Sequence, residues 1–235
     1  MAASTLRFQP VRNYRRFIRE ESLRRGLRIS SRKVQNPNLG GVIDVITTEL
    51  YDQVSVNANT AFPSPTILFQ TPIGQSGKTL ANTDMTAAGI LPNPDRFTIW
   101  AIAVHVANNT IPQDMTNILG NVTLQLYINN KWWSQGPLVA YPAGRGWRLD
   151  SIAQLGNTAD APASSQIQYS TTNGVPDPRS VALLDASVTI EQGEQFSVVL
   201  TAQTGFSTSA TTTYPPGTGT TITVFLVGNR ERGTS

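Results

Sequence analysis

The chain has 235 residues, enough to bury a sizeable core, and is poor in charge (14% Asp, Glu, Lys and Arg) but well supplied with punctuation (18 Gly and 15 Pro). That balance favours strands and turns over regular helices. The absence of cysteine excludes disulfide scaffolds, thiolate zinc sites and cysteine nucleophiles. The net charge of +3 conceals a division: residues 1–34 hold ten basic and two acidic side chains, a net +8, and residues 35–235 hold eight basic and 13 acidic ones, a net −5.

In chain order, a basic N-terminal arm comes first. Its cations are Arg7, Arg12, Arg15, Arg16, Arg19, Arg24, Arg25, Arg28, Arg32 and Lys33, opposed by Glu20 and Glu21. Val11, Tyr14 and Ile18 fall on one face at helical spacing, and Gly26 with Ser30-Ser31 interrupts such a helix. The run Asn36-Pro37-Asn38-Leu39-Gly40-Gly41 reads as a hinge. The chain is therefore expected to divide into an arm and hinge, 1–40, and a β-sandwich body, 41–235. No apolar signal-peptide core is visible at the N-terminus, and the longest apolar run, 98–107, is too short to span a bilayer as a helix.

From residue 41 the pattern is strands and turns. Over 42–56 the residues Val42, Ile46, Leu50 and Val54 are four apart, which suits a helix, but the β-branched density favours a strand. Weaker strand candidates follow at 66–70, 138–141, 166–170 and 181–184. Residues 97–106 are apolar on both faces, as in the middle of a packed sheet. At 122–128 Val122, Leu124, Leu126 and Ile128 alternate with Thr123, Gln125 and Tyr127. Asn129-Asn130 tolerates positive φ, and Lys131-Trp132-Trp133 resumes the strand, which predicts a tight hairpin. A second hairpin is expected between 187–190 and 195–201 across a turn at Gly193. The last strand, 221–227, places Ile222, Val224 and Leu226 on one face. Eight to ten short strands with long Pro-, Gly-, Asn- and Thr-rich connections indicate an all-β sandwich or barrel. The long connections, 72–95, 144–165, 171–180 and 204–220, are of the length that makes contacts.

Several motifs carry less chemistry than they suggest. Gly74-Gln75-Ser76-Gly77-Lys78-Thr79 resembles the end of a phosphate-binding loop, but the first glycine such a loop needs is Pro72 here. No clear helix follows to set its N-terminus against a phosphate, because Pro92 and Pro94 intervene. A surface loop is expected. The one histidine, His105, lies inside the strongest apolar strand and is expected to be structural rather than a metal ligand or catalytic base. Carboxylates are scattered over loops and strand ends, with no spacing that pairs two across a cleft. No catalytic residue, metal site, cofactor or small-molecule substrate is expected, and the chain does not read as an enzyme.

Two constellations remain. Trp132, Trp133, Tyr141, Arg145, Trp147 and Arg148 gather around the middle loops. They suit either a subunit or ligand contact, since indole and phenol rings offer rigid area with a polar edge, or the sealing of a sandwich end. Adjacent residues of a regular strand face opposite ways, so Trp132 and Trp133 cannot both be core. In the arm arginine outnumbers lysine nine to one. Guanidinium forks onto phosphate oxygens, which points to nucleic acid bound without base preference. A basic amphipathic helix on anionic lipid, an organelle transit peptide and a solvated tail are the competing readings.

A basic, hinge-linked arm before about 190 residues of antiparallel strands resembles the single jelly-roll coat proteins of small icosahedral viruses. The stretch Leu124-Gln125-Leu126-Tyr127-Ile128-Asn129-Asn130-Lys131-Trp132-Trp133, with Tyr141-Pro142-Ala143-Gly144, is similar to virion proteins of small tailless phages. The resemblance implies an eight-strand jelly roll that self-assembles in many copies into an icosahedral capsid. The arm would line its interior, against genome or neighbouring subunits, and some such viruses add an internal membrane as a further partner. The alternatives are a carbohydrate- or ligand-binding jelly-roll module that uses the aromatic loops, and a nucleic-acid regulator, which an acidic body with no recognition helix disfavours.

Overall fold

A computed structural model describes residues 34–36, 41–107, 110, 112–142, 148–151, 169–172, 182–209 and 219–233. The arm residues 1–33 lie outside them, so the expectations for the arm's helix and cations do too. Among the described residues, hydrogen bonding joins β1 (Val34–Asn36), β2 (Gly41–Val56), β11 (Thr220–Gly233), β4 (Arg96–Val106) and β9 (Ala182–Ile190) into one sheet, in that order. A second sheet runs β3 (Thr66–Leu68), β10 (Phe196–Ala202), β5 (Val122–Ile128) and β6 (Lys131–Pro137). A separate pair joins β7 (Arg148–Ser151) to β8 (Tyr169–Thr172). Every pairing is antiparallel.

The two larger sheets form a sandwich because both bury their inward rows in one core. Leu50 and Val56 of β2, Ile102, Val104 and Val106 of β4, and Ile222, Val224 and Leu226 of β11 meet Val122 to Ile128 of β5 and Phe196, Val198 and Leu200 of β10. Each such side chain contributes about 1.5–3 kcal/mol by leaving water. From Leu50 to Val56 the inward residues of β2 are even-numbered, and a four-residue spacing keeps to one face of a strand as well as of a helix. Fourteen register pairs with β11 place the whole segment in the sheet.

Strand β4 does not keep one alternation. Phe97 and Ile99 face the core, then Ile102, Val104 and Val106 do, because Trp100 is an extra residue against β11, while on the other side β9 passes it with the longer stretch between Leu183 and Val188. Trp100 and Ala101 pack with Val227 and Phe225 in a separate cluster. On β11 the shift falls at Gly228, where an added Cβ would overlap the Thr98 carbonyl oxygen and lie 2.7 Å from the Phe97 ring.

Three sequence expectations change. The segments at 187–190 and 195–201 do not pair as a hairpin. β9 pairs with β4 and β10 with β3 and β5, so the turn at Gly193 (φ 76) carries the chain from one sheet to the other. Val188 and Ile190 thus reach the shared core from one sheet, and Phe196 and Val198 from the other. Residues Leu138–Ala140 form a 3-10 turn in place of a strand. A helix, α1 (Pro112–Asn121), joins β4 to β5 and buries Met115 and Ile118 in the core. Its Pro112 occupies a first-turn site that needs no N–H donor. Asp114 accepts from the Ser209 N–H (3.0 Å) and Oγ (2.9 Å), which ties the helix to the segment before β11.

Candidate functional site

Of the described candidate contact residues, Trp132 and Trp133 are the ones placed on open surface. They sit on β6, an edge strand, and are 64% and 53% exposed. The register between β5 and β6 explains why neither is core. Tyr127 pairs with Trp132 and Leu126 with Ser134, so Trp133 is inserted into the ladder and the strict alternation fails there. The hairpin turn before them has Asn129 and Asn130 at φ 49 and 63, the conformation a two-residue turn demands. Asn129 Nδ2 also donates to Glu194 Oε1 at 2.6 Å, which fixes the turn against the next sheet connection.

Tyr141 does not share that surface. It is 5% exposed, its ring lies in the core, and its OH is 3.0 Å from Ser134 Oγ. Burial raises its pKa, with the Ser134 bond opposing. A Cβ added at Gly136 would lie 3.2 Å from the Tyr141 hydroxyl and 3.3 Å from its ring edge, so a larger side chain there requires the Tyr141 ring to give by a few tenths of an ångström. Arg145 and Trp147 lie outside the described residues, and for Arg148 only the backbone of β7 is described.

The surface around Trp132 is the outward face of the second sheet. One row across it is Ile67, Val199, Gln125 and Gln135, and the next is Ser197, Tyr127 and Trp132. On the other side Thr201, Thr123 and Pro137 complete it. None of these residues is charged. The polar groups are tied to each other: Tyr127 OH donates to Gln125 Oε1 (3.2 Å), Gln125 Nε2 to Gln135 Oε1 (3.0 Å), and Gln203 Nε2 to Thr123 Oγ1 (2.8 Å). Charge is concentrated instead where β4 begins. There Arg96 pairs with Glu191 (2.6 Å) and Glu231 (3.7 Å), and Arg230 donates to Asp95 (2.7 Å).

The loop that imitates a phosphate-binding motif is committed elsewhere. Lys78 is hydrogen-bonded to the carboxylate of Asp52, which is fully buried on β2. Asp52 also accepts from the backbone N–H of Phe69 (2.5 Å) and of Gln53 (2.9 Å). Phe69 is buried at φ 67, so this carboxylate holds a left-handed residue at the end of β3 and the loop after it at once. Beside it, Asp84 accepts from the Tyr51 N–H at 3.0 Å. Burial pushes the Asp84 carboxyl up to about 6, against the lowering effect of the Tyr51 bond and Arg230. His105 stands half-buried on β4 opposite Thr223.

Among the described residues no group of three or more His, Cys, Asp or Glu is arranged to hold a metal ion. No helix there is long and apolar enough to cross a membrane. The uncharged aromatic face and the buried Asp52–Lys78 tie were not separable in sequence from core and loop, since both depend on pairing between distant strands. No protein-family model matches the chain, and no curated protein or solved structure matches it either.

Proposed function

We propose that this chain is a structural subunit of a viral capsid: a jelly roll that self-assembles into a closed icosahedral shell, with its arginine-rich arm turned inward onto packaged nucleic acid. The strand order carries the proposal. With β1 set aside, β2-β11-β4-β9 lies over β3-β10-β5-β6. The chain changes sheet at β2 to β3 to β4 to β5 and again at β6 to β9 to β10 to β11. Eight strands alternating between two four-stranded sheets support the jelly-roll reading, an architecture shared by capsid and lectin domains. Architecture alone does not choose between those two. The charge division favours the capsid reading: a net +8 arm on a net −5 body would concentrate polyanion contact in one segment and leave the sandwich to tile against copies of itself.

The arm's cations act on phosphates rather than bases, because arginine forks onto phosphate oxygens and no groove-reading element accompanies it. Neutralising about five to eight phosphates gives a slope of log K on log salt of roughly −0.9 per contact on duplex and −0.7 on single strands. Changing Arg12, Arg15, Arg16 and Arg19 together to Ala therefore flattens that slope by about three to four units, and scrambling the nucleic-acid sequence changes little. An unaltered slope in the quadruple variant overturns the arm's role. So does transfer of the arm from nucleic acid to anionic vesicles at physiological salt, abolished by polar substitution of Val11, Tyr14 and Ile18. That result assigns the arm to an internal membrane.

A further inference from the structure

We propose that the outward face of the β3-β10-β5-β6 sheet binds a neutral glycan, with the Trp132 indole as the platform for a sugar ring and the Gln125 and Gln135 amides as partners for its hydroxyls. The inference rests on this face alone and does not depend on the shell reading. The first support is charge. The outward positions of these four strands carry none, although the start of β4 gathers Asp95, Arg96, Glu191, Arg230 and Glu231. The one charged side chain on these four strands, the exposed Lys131, pairs with Ile128 at the turn end of β6, off the rows that hold Gln125, Gln135, Tyr127 and Trp132, so those rows favour an uncharged ligand.

The second support is the pairing of chemistries. A sugar presents an apolar C–H face and a rim of hydroxyls, each able to donate and accept. Trp132 offers an open aromatic face, and the amide row stands one strand register away, at Gln125 opposite Gln135. A lipid or an apolar partner surface would strip water from these amides and from Thr123 and Ser197 without replacing their hydrogen bonds. A glycan replaces them.

The third support is pre-organisation. Tyr127 OH donates to Gln125 Oε1, and Gln125 Nε2 donates to Gln135 Oε1. That chain engages both amides with each other before a ligand arrives, and the Gln135 NH₂ and a second Tyr127 oxygen lone pair retain hydrogen-bonding capacity beyond it. Ordering costs at binding fall accordingly. The inserted residue in β6 keeps Trp132 and Trp133 both at the surface, which extends the platform along the strand edge.

The test uses the full chain in affinity electrophoresis through gels containing neutral polysaccharides: a β-glucan, a galactomannan, a xylan and dextran. Tryptophan fluorescence is titrated in parallel with gluco-, manno- and xylo-oligosaccharides. At least one polysaccharide is expected to retard the protein. Trp132→Ala and Gln135→Ala should each weaken that binding about tenfold or more, with Trp132→Phe retaining part of it. Heparin, a polyanion, should bind all variants alike through the arm. Circular dichroism melts keep loss of fold distinct from loss of site. The proposal is overturned if none of the four polysaccharides retards the protein, or if retardation survives Trp132→Ala. It is equally overturned if Trp132→Ala changes the sedimentation coefficient while leaving glycan binding absent, since the face is then covered by a second copy.

Discussion

Replacing Asp52 with alanine removes the acceptor of three donors together: Lys78 Nζ and the backbone N–H groups of Phe69 and Gln53. Asp52 is fully buried and the Lys78 side chain is only 19% exposed, so the lysine would be left largely desolvated with no counter-charge. Breaking a buried pair from one side costs about 3–5 kcal/mol. The orphaned Phe69 N–H, at a buried residue in the left-handed region, accounts for about 1–3 kcal/mol of that. Lys78→Met is milder, at about 1–3 kcal/mol, because Asp52 keeps its two backbone donors. The double change Asp52→Leu with Lys78→Met should recover part of the loss, since an apolar pair of similar volume often replaces a buried ion pair at little cost. Urea unfolding of the four proteins at one fixed protein concentration measures these terms. Because Lys78 is engaged with Asp52, added ATP should leave the wild-type melting temperature unmoved. If Asp52→Ala unfolds within about 1 kcal/mol of wild type, or ATP raises the melting temperature through Lys78, the structural reading of this loop fails.

Two glycines should respond in opposite directions. Gly228→Ala forces a methyl into the Thr98 carbonyl and Phe97 ring and should cost about 1–3 kcal/mol, whereas Gly120→Ala, in α1 with open space around it, should add about 0.5–1 kcal/mol; chemical denaturation reads both. Asp84 titrates near 6 in the fold, above its unfolded value, so the fold gains stability as pH falls from about 6 towards 4 and loses it as pH rises through that window. Asp84→Asn keeps an acceptor for the Tyr51 N–H, and should raise stability at pH 7 by about 1–2 kcal/mol after discounting for partial solvent screening and flatten that pH dependence; an unchanged profile contradicts the assignment. Deleting residues 1–33 removes ten cations and two acids and leaves intact the core cluster found among the described residues, which runs from Leu50 to Leu226, so thermal unfolding should stay cooperative. Failure of the truncated chain to fold would make the arm a structural element.

How much was legible in sequence depended on whether the signal was local. β5 appears at its expected bounds because Val122, Leu124, Leu126 and Ile128 alternate without interruption, and Asn129-Asn130 supplies its own turn chemistry. Sheet membership is not local. Residues 187–201 look like a hairpin because two strands flank a glycine, yet Phe196 pairs with Ile128 and Phe97 with Ile190. The two tryptophans defeated the alternation rule through one inserted residue, which only the partner strand reveals. The helix α1 was readable in principle. Pro112 at its start, Asp114 in its first turn, and Met115 and Ile118 three apart are helix-start signals, masked by the polar run Asn108-Asn109-Thr110 before them. Lys78 and Asp52 lie 26 residues apart, so Pro72 in place of the loop's first glycine could reject the phosphate-loop reading but could not name the lysine's partner. The arm's charge was plain from sequence, and its placement falls outside the described residues.

Negative-stain electron microscopy of the purified full chain, with sedimentation velocity on the same samples, tests the central claim most directly. Samples at micromolar concentration, across salt and pH, with and without nucleic acid, should contain closed particles of uniform diameter whose yield rises when nucleic acid is added at low salt. A single monomer boundary and no particles under every one of those conditions would contradict the account.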